Sequence, residues 1–417
     1  MTSRQSNTEA YVWIWLPGKT EPVVCGKLAA DGELVRFNYG RSYLERQDAI
    51  SIYDPELPLR AGVMPLLGDL NIPNCIRDAA PDAWGRRVII NRQFGKKGSD
   101  TDTADLGELT YLLESGSDRI GALDFQRSPT DYVSRAAENA TLEELLESAD
   151  RVEKGVPLTP ELDHALFHGS SIGGARPKAL IEDHGTKYIA KFSSSSDSYS
   201  VVKAEYVAMR LAEAAGLSVA PVRLVQAAGK DVLLIERFDR IRVASGWERK
   251  SMVSALTLLG LSEMQARYAS YEDFAQSIRA RFTNPKKTLH ELYGRLVFNV
   301  LCGNTDDHAR NHAAFWDGHQ LTLTPAYDIC PQNRSGNEAT QAMLIVGNNR
   351  YSQLKTCQEA AHLFLLSTDE ATGIVDRVIM AIRDNWDRVC GEARLTPVDK
   401  NLMWQRQFLN PYSIGRY

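Results

Sequence analysis

The octamer NTDDHARN, which runs from Asn304 to Asn311, constrains the fold more than any other part of the chain. Within it, Asp306 and Asn311 are separated by five positions, and Asp328 follows after a predicted turn and a short alternating strand. Phosphoryl transfer requires an aspartate that accepts the proton of the substrate hydroxyl, together with oxygen ligands that hold Mg²⁺ against the phosphates. The spacing of these side chains therefore predicts a Mg²⁺·ATP phosphotransfer site.

The segments around this octamer fit the same prediction. Protein kinases carry an aspartate, an asparagine five residues later and a further aspartate after a short hairpin. The apolar positions between Leu289 and Leu301 share one helical face, so a helix leads directly into the octamer. Residues 169–236 read as loop, strand, strand, helix, strand, strand, which is the order of a kinase amino-terminal lobe. We therefore expect an α+β, bilobal, protein-kinase-like fold whose carboxy-terminal lobe is mainly helical.

The amino-terminal part of the chain predicts a separate β-rich module. Residues 11–39 alternate between apolar and polar side chains as strands do, with a turn at Asp31-Gly32. A further strand is predicted from Ile120 to Phe125, and the polar, aperiodic segment from Gln126 to Asn139 is the best candidate for a linker. We expect three domains: a β-rich subdomain over 1–128, a small lobe with a phosphate loop over 140–240, and a helical lobe over 241–417.

Composition and charge argue against several other classes of protein. A chain of 417 residues is long enough for two or three domains, since single cores rarely exceed about 250 to 300 residues. A net charge of −5 gives no general attraction to nucleic acid, so a DNA contact would need a local patch or a partner protein. No apolar run approaches the roughly 18 residues of a membrane span, and the first residues lack the features of a signal peptide. The six cysteines show no metal-ligand spacing. We expect a cytoplasmic protein without a membrane partner.

The features of the octamer also have other interpretations. Aspartate and asparagine are common in turns, so Asp306 and Asn311 could simply satisfy the backbone of a loop. His308 and His312 stand four positions apart and could bind a metal ion on one helical face, which would indicate a metal-dependent hydrolase. The chain has no HExxH motif, so the phosphotransfer interpretation is preferred. Asp307 is interpreted as a loop residue or as support for its neighbours.

A lysine and a glycine-containing loop are candidates for contacts with phosphate. Lys191 lies in the strand-like YIAKF, where a buried charge requires an anionic partner. ATP phosphates, with Glu205 on the next helix as an orienting group, would supply it, whereas an exposed lysine on an edge strand would need none. Gly173 and Gly174 would let backbone N–H groups approach a phosphate, although a glycine turn between a helix and a strand looks the same. Ser171 is either a solvated hydroxyl or a phosphate acceptor.

Taken together, the motifs resemble those of the HipA toxin kinases of bacterial toxin-antitoxin modules. They are GKL in the amino-terminal module, the Ser-x-x-Gly-Ala-x-x-Lys loop from Ser171 to Lys178, YIAKF, LLIERFDR, NTDDHARN and LTPAYD. The match covers nearly the whole chain, and as a set these motifs are highly specific. Two segments depart from the family pattern: the chain reads RKSMVSALTLLG where a His-x-Glu-Asp type of segment is often found, and Arg176-Pro177 where Gln-Glu is common.

The resemblance implies a serine/threonine protein kinase that uses ATP and Mg²⁺. Asp306 would be the catalytic base, and Asn311 and Asp328 would be the metal ligands. Ser171, with its neighbour Ser170 as the alternative, would be an autophosphorylation site, at which added negative charge ejects the phosphate loop and inactivates the kinase. The implied nucleotide-binding residues, among which Glu236 to Phe238 form the adenine-binding hinge, are Gly173, Gly174, Ala175, Arg176, Pro177, Lys178, Lys191, Glu236, Arg237, Phe238, His308, Asn311, Tyr327 and Asp328.

The resemblance also implies partners. Kinases of this family are typically bound by a small helix-turn-helix antitoxin, which carries the contact with operator DNA, and characterised members phosphorylate aminoacyl-tRNA synthetases. We therefore expect a toxin that phosphorylates a translation-related protein. Two other functions stay open: a DNA-bound corepressor whose kinase site is vestigial, and the metal-dependent hydrolase that would use His308 and His312.

Overall fold

The computed structural model describes residues 7–94, 106–135, 140–156, 158–159, 162, 176–194, 197, 199–334, 336 and 338–415. The chain divides into two compact units. The first consists of Met1–Ser195, Val225–Val253 and Phe315–His319, and the second consists of Ser196–Leu224, Ser254–Ala314 and Gln320–Tyr417. Each unit is assembled from separate stretches of sequence, so this division differs from the three continuous domains that the sequence predicts.

The amino-terminal module is an antiparallel sheet, as the alternating pattern predicts. Its strands are β1 (Glu9–Ile14), β2 (Val23–Asp31), β3 (Leu34–Tyr39) and β4 (Leu123–Gln126), in the order β3-β2-β1-β4. The turn between β2 and β3 contains Gly32, whose φ of +63° is a conformation that favours glycine. Alternate side chains of β3, including Val35 and Phe37, are buried, so one face of this sheet contributes to a core.

A second sheet contains the strands that were predicted to hold phosphate. It is formed by β5 (Lys178–Asp183), β6 (Thr186–Phe192), β7 (Val222–Ala227) and β8 (Lys230–Glu236), in the order β5-β6-β8-β7. Strand β6 pairs antiparallel with both β5 and β8. Along the chain, helix α6 (Val201–Ala214) lies between β6 and β7, which confirms the predicted order of strand, strand, helix, strand, strand.

The helices of the first unit precede this second sheet in the sequence. They are α1 (Arg41–Leu44), α2 (Asn74–Arg77), α3 (Ala83–Phe94), α4 (Glu108–Glu114) and α5 (Leu142–Lys154). Helix α5 begins at a capping box in which Thr141 and Glu144 exchange hydrogen bonds, and it ends at Gly155, whose φ is +65°. Strands β9 (Arg240–Val243) and β10 (Gly246–Arg249) form a separate hairpin in the same unit.

One hydrophobic core spans the boundary that was predicted between residues 128 and 140. Trp84 and Val88 of α3 and Leu145 of α5 pack with Phe192 and Leu234 of the second sheet. The indole Nε1 of Trp84 also donates a hydrogen bond of 3.0 Å to the carbonyl of Lys178. Because the apolar face of α3 is buried against residues from the predicted small lobe, the two segments form one compact unit.

A buried ion-pair network makes a second connection inside the first unit. Asp118 accepts from Arg237 at 2.9 Å and from Arg240 at 2.8 Å, while Asp239 accepts from each of the same two guanidinium groups at 2.8 Å. The side chains of Arg237, Asp239 and Arg240 are no more than 3% exposed. Burial alone would raise the pKa of Asp239, but Arg237 and Arg240 lower it to about 2. The network therefore ties the end of the amino-terminal module to the residues that follow β8.

The described part of the predicted linker, residues 127–135, packs against the amino-terminal sheet. The ring of Tyr132 lies 5.4 Å from that of Trp13 and 5.6 Å from that of Trp15. Arg135 donates at 2.7 Å to the buried carboxylate of Asp124. A polar, aperiodic sequence was interpreted as a linker, but these few aromatic and charged contacts bind it to the sheet.

The second unit is mainly helical, as predicted. Its helices are α6, α7 (Ala255–Leu258), α8 (Tyr271–Arg281), α9 (Pro285–Cys302), α10 (Leu354–Ala360), α11 (Thr368–Glu392), α12 (Pro397–Met403) and α13 (Pro411–Ile414), with 3-10 turns at Glu263–Tyr268, Ala309–Asn311 and Ala361–Phe364. Three short strands lie near the points where the chain passes between units: β11 (Ser251–Ser254), β12 (Ala313–Trp316) and β13 (Leu321–Leu323). Within the described ranges, no helix is both long and apolar enough to cross a membrane.

Helix α9 forms the centre of this unit. Leu289, Leu292, Leu296, Val297 and Val300 are all fully buried, which confirms the predicted helical face. The mixture of sheets and helices confirms an α and β fold, and the two-lobed kinase arrangement stays a prediction.

We predict that Asp239→Asn lowers the free energy of unfolding by about 3–5 kcal/mol, because it leaves two buried guanidinium groups to share the single carboxylate of Asp118. Urea titrations followed by circular dichroism measure the difference. Glu45→Ala, which breaks an exposed ion pair with Arg41, is the control and should leave the midpoint unchanged.

The same pair of proteins gives a test by pH. A carboxyl group whose pKa falls on folding contributes stability above its unfolded pKa, about 3.9, and loses it as the pH falls through its folded value. With a folded pKa of about 2, the advantage of the wild type over Asp239→Asn should persist down to about pH 4 and disappear by about pH 2. An advantage that does not change with pH would show that the charge of Asp239 is not its source.

Candidate active site

The octamer begins where helix α9 ends. The helix is terminated by Gly303, whose φ of +72° is left-handed, and a Cβ at this position would lie 2.8 Å from the carbonyl oxygen of Gln407. The next residue, Asn304, donates from its backbone to the carbonyl of Asn299 at 2.9 Å and from its side chain to the Asn299 amide oxygen at 3.1 Å. The first residues of the octamer are therefore held by the last turn of a buried helix.

Asp306 and Asn311 are brought together because the octamer folds back on itself. The Asn311 side-chain NH₂ donates to the backbone carbonyl of Asp306 at 3.1 Å, and the backbone N–H of His308 donates to the same carbonyl at 2.9 Å. Because its NH₂ group is used in this way, the amide of Asn311 is oriented with its oxygen directed away from that carbonyl. The five-residue offset thus closes a tight loop around Asp306, whose side chain is exposed.

Asp328 is held close to this loop by its neighbour. The hydroxyl of Tyr327 donates to the carbonyl of Arg310, inside the octamer, at 2.8 Å. Asp328 itself has a φ of +58°, a left-handed conformation that is uncommon for residues other than glycine and is tolerated best by Asn and Asp. Partial burial raises the pKa of Asp306, His308 opposes that shift, and repulsion from Asp328 adds to it. The hydrogen bond of Tyr327 therefore keeps the segment that carries Asp328 at the octamer.

The residue next to Asp306 points into the core and forms a buried cluster. His312 Nε2 lies 2.9 Å from a carboxylate oxygen of Asp307, and the hydroxyl of Tyr271 donates to the other oxygen. Burial would raise the pKa of Asp307, but His312 and the hydrogen bonds lower it. Asp307 thus supports the loop from beneath, as its interpretation as a supporting residue anticipates. The participation of Tyr271 had no signal in the sequence, because a single tyrosine at the start of a helix has no characteristic pattern.

This cluster also argues against the metal site that His308 and His312 could have formed. His312 is 2% exposed and pairs with Asp307, so it does not share an accessible surface with His308. Within the described residues, no group of three or more His, Cys, Asp and Glu side chains has an arrangement that could hold a metal ion. The predicted Mg²⁺ ligands, Asn311 and Asp328, are not a group of this kind, because they consist of one amide and one carboxylate.

In the first unit, two lysines lie opposite each other on the second sheet. The antiparallel register pairs Lys178 of β5 with Lys191 of β6, and their side chains therefore share one face. Lys178 is 6% exposed and Lys191 is 8% exposed. Like charges that face each other at such depth are favourable only with anionic groups nearby, so the surface interpretation of Lys191 is wrong.

The predicted hinge follows the last residue of β8, Glu236. Arg237 uses its backbone N–H for a bond of 2.9 Å to Lys187 and its guanidinium for the buried ion pairs, so only its carbonyl is left for a ligand. The ring of Phe238 packs edge-on against Phe315 at 5.9 Å. Arg237 was predicted as a nucleotide contact, and the structure gives its side chain a structural role.

The predicted phosphate loop is described only at its end. Arg176, Pro177 and Lys178 lead into β5, and the carbonyl of Pro177 accepts a hydrogen bond of 3.1 Å from the backbone of Phe192. The remaining predicted residues of the loop, Ser171, Gly173, Gly174 and Ala175, lie outside the described residues.

Comparison with known families agrees with the motifs. A family model described as the HipA-like C-terminal domain matches residues 170–386, which is more than half of the chain, and one described as the HipA N-terminal domain matches residues 15–126. The chain belongs to the HipA family. The resemblance that the motifs predict is therefore confirmed.

Individual HipA relatives are distant in sequence. The chain is 31% identical over 147 residues to a putative kinase of Sinorhizobium fredii, covering 34% of this chain and 33% of that protein. It is 26% identical over 183 residues to the serine/threonine-protein kinase toxin HipA of Shewanella oneidensis, covering 38% of this chain and 42% of that one. The matched region spans only a third to about half of the length of the curated relatives.

A solved structure extends the likeness to nearly the whole HipA-like chain. It is the complex of Shewanella oneidensis HipA, HipB and operator DNA, one chain of which matches with a TM-score of 0.68. The match covers 94% of this chain and 97% of that one at 19% sequence identity. At this identity the likeness establishes the fold alone.

We predict that His312→Ala destabilises the protein by about 1–3 kcal/mol, because it leaves the buried Asp307 carboxylate without its hydrogen-bond partner. Thermal and urea unfolding measure the loss, and His308→Ala, at a partly exposed position, is the matched control with little expected change. A zinc-dependent hydrolytic activity that both variants abolish would contradict this interpretation and restore the metal-hydrolase hypothesis.

Proposed function

We propose that this protein is an ATP-dependent serine/threonine kinase that acts as the toxin of a toxin-antitoxin pair. The observation that carries the proposal is the closed octamer, in which Asn311 donates to the backbone of Asp306, together with Tyr327, whose hydrogen bond to Arg310 holds the segment of Asp328 at this loop. This is the set of groups that phosphoryl transfer requires, and a family match alone would not establish that the set is intact.

In this proposal Asp306 is the catalytic base. Its side chain is exposed while its backbone is held by His308 and Asn311, so it can reach a substrate hydroxyl without losing its position. Partial burial is the main cause of its raised pKa, and repulsion from Asp328 adds to it, so Asp306 accepts a proton more readily than an isolated aspartate. Asp306 would take the hydroxyl proton as the substrate oxygen attacks the terminal phosphorus of ATP, and the bond from that phosphorus to the bridging oxygen would break to release ADP.

The oxygen atoms of Asn311 and Asp328 fit a hard divalent cation. Mg²⁺ prefers oxygen ligands and usually binds one or two protein groups together with phosphates and water. Repulsion between Asp306 and Asp328 would be relieved by positive charge at this place. When bound there, Mg²⁺ would neutralise charge on the phosphates.

Most of the remaining contacts with ATP would be made by residues of the motifs in the first unit. Lys178 and Lys191 would bind the phosphates, because two buried ammonium groups on one face of a sheet concentrate positive charge. Backbone groups of Glu236 to Phe238 would contact adenine, and Gly173 to Arg176 would approach the phosphates. His308 and Tyr327 complete the proposed nucleotide site.

The proposal includes regulation and partners. Ser171 would be autophosphorylated, which places negative charge beside the phosphate loop and opposes ATP binding. A helix-turn-helix antitoxin would bind this protein and carry most of the contact with operator DNA; the Shewanella oneidensis complex contains HipA, HipB and operator DNA. The substrate would be a translation-related cytoplasmic protein such as an aminoacyl-tRNA synthetase.

The first test is intact-mass measurement and phosphopeptide mapping after incubation with Mg²⁺·ATP. We expect phosphate on Ser171 in the wild type and a rate lower by roughly 10²–10⁴-fold in Asp306→Ala, the usual contribution of a general base. Both proteins must carry no phosphate before the incubation with Mg²⁺·ATP. Absence of phosphate in both proteins, with growth arrest unchanged by Asp306→Ala, would favour the corepressor with a vestigial site.

A second test separates the chemistry of Asp328 from its backbone conformation. Asp328→Asn keeps a side chain that tolerates a left-handed φ, whereas Asp328→Ala does not. We expect both variants to lose at least about 100-fold in phosphorylation rate, since a metal ligand contributes several kcal/mol. Only Asp328→Ala should also lose stability, by about 1 kcal/mol. Full activity in Asp328→Asn would show that Asp328 is not a metal ligand.

A further inference from the structure

A cavity in the second unit lies apart from the residues assigned to nucleotide. Its volume is about 150 Å³. It is lined by residues from the start of α6, from the segment after Asp328, and from α12 and the chain that follows it, and they include Tyr199, Ser200, Arg334, Asp399, Arg406 and Gln407.

Arg334 is the group in this cavity that points most clearly to a ligand. Its Nη2 donates to the hydroxyls of Ser413 at 3.0 Å and Ser352 at 3.4 Å. Its Nε and Nη1 are buried and have no hydrogen-bond partner among the described residues. Burial lowers the pKa of Arg334, yet a guanidinium group stays protonated at neutral pH. Arg334 as a residue is half-buried, but its Nε and Nη1 are shielded from water without a partner, and an anion is the partner that removes the cost of this.

The start of helix α6 supplies a second, independent preference for an anion. Ser200 lines the cavity and is the N-cap of this helix of 14 residues. Its side chain makes no capping hydrogen bond, and the first turn contains no acidic residue. The backbone N–H groups of a first turn lack partners within the helix and carry partial positive charge.

The charges around the cavity agree with this preference. Arg406 lines it with an exposed side chain. Asp399 is the acidic lining residue, and its carboxylate accepts a hydrogen bond of 2.8 Å from Thr396 at the start of α12. Two guanidinium groups and a helix N-terminus therefore outweigh one carboxylate that already has a partner.

We propose that this cavity is a binding site for a phosphate group, carried either by a phosphorylated side chain of a polypeptide or by free phosphate. A single water needs roughly 10–15 Å³ of such volume, so a group of five heavy atoms fits in the available 150 Å³. Tetrahedral phosphate offers several acceptor oxygens, which suits the donors of Arg334, Arg406 and Ser200, all of which line the cavity.

Occupancy of the cavity would be transmitted to the segment that carries Asp328. The hydroxyl of Tyr199, which lines the cavity, donates to the carbonyl of Pro331 at 2.7 Å. The backbone of Gln332 donates to the carbonyl of Gly303, the residue that precedes the octamer, at 2.9 Å. The adjacent residues Pro331 and Gln332, in the segment that follows Asp328, therefore connect the lining of the cavity to the end of helix α9.

Calorimetric titration of the full chain with inorganic phosphate, at constant ionic strength maintained with chloride, tests the proposal. We expect saturable binding to the wild type. Arg334→Gln should weaken it by about 10–100-fold, since a hydrogen bond to a charged group contributes about 1.5–3 kcal/mol. Arg406→Gln, at an exposed position, keeps the test valid if Arg334→Gln fails to fold, and it should weaken binding by at least several-fold.

Two further variants make the result specific. Arg41→Gln removes an exposed arginine elsewhere and should leave the affinity unchanged. Lys191→Gln distinguishes this cavity from the lysine pair: loss of binding in Lys191→Gln, with Arg406→Gln unaffected, would place the phosphate at the lysine pair and overturn the proposal. Absence of saturable binding in the wild type would overturn it as well.

A competition experiment identifies the source of the phosphate group. A phosphoserine peptide that displaces inorganic phosphate and binds with an affinity at least about tenfold higher assigns a phosphorylated polypeptide to the cavity. The unphosphorylated peptide should then have no effect. Equal or weaker displacement assigns free phosphate. Both outcomes require that Arg334→Gln or Arg406→Gln reduce the binding.

Discussion

The buried pairing of Asp118 and Asp239 with Arg237 and Arg240 is the interaction on which the first unit depends. These four side chains lie in segments that are more than a hundred positions apart in the sequence. One segment belongs to the region matched by the HipA N-terminal domain and the other to the region matched by the HipA-like C-terminal domain. Burying four charges is costly, and the cost is offset only while all four partners are in place. The network therefore couples the stability of the amino-terminal sheet to that of the chain that follows β8.

In the second unit, the position of the octamer depends on the end of the buried helix α9. Helix α9 presents Gly303 at a place where no larger residue fits, and the octamer then turns immediately. Asp307 is drawn into the core by His312 and Tyr271, so its neighbour Asp306 is exposed. The orientation of the exposed aspartate is thus a consequence of the buried one. A loop that is held on one side by core packing needs little of its own stabilisation to keep a reactive group in place.

Much of this arrangement can be predicted from the sequence because its signals are local. The alternation of residues 11–39, the capping box at Thr141 and the apolar face of α9 each involve positions within a few turns or strands, and the structure confirms them. The division into units cannot be predicted in this way. It depends on contacts such as that of Trp84 with the carbonyl of Lys178, which no local pattern specifies. The octamer motif predicts the loop that carries Asp306. The roles of Tyr271 and of the Arg237 side chain depend on partners that are distant in sequence.

The pairing of Lys178 with Lys191 has a consequence for how such a site can change. The two lysines are aligned by the hairpin between β5 and β6, in which Asp183 pairs with Thr186 across the two-residue turn His184-Gly185. Both turn residues have positive φ, at 47° and 75°, as tight two-residue hairpins require. Adding or removing one residue there would slip the register and turn one lysine to the opposite face. The position of the two charges is therefore encoded in a turn that touches neither of them, and insertions in this hairpin should be far less tolerated than its exposed location suggests.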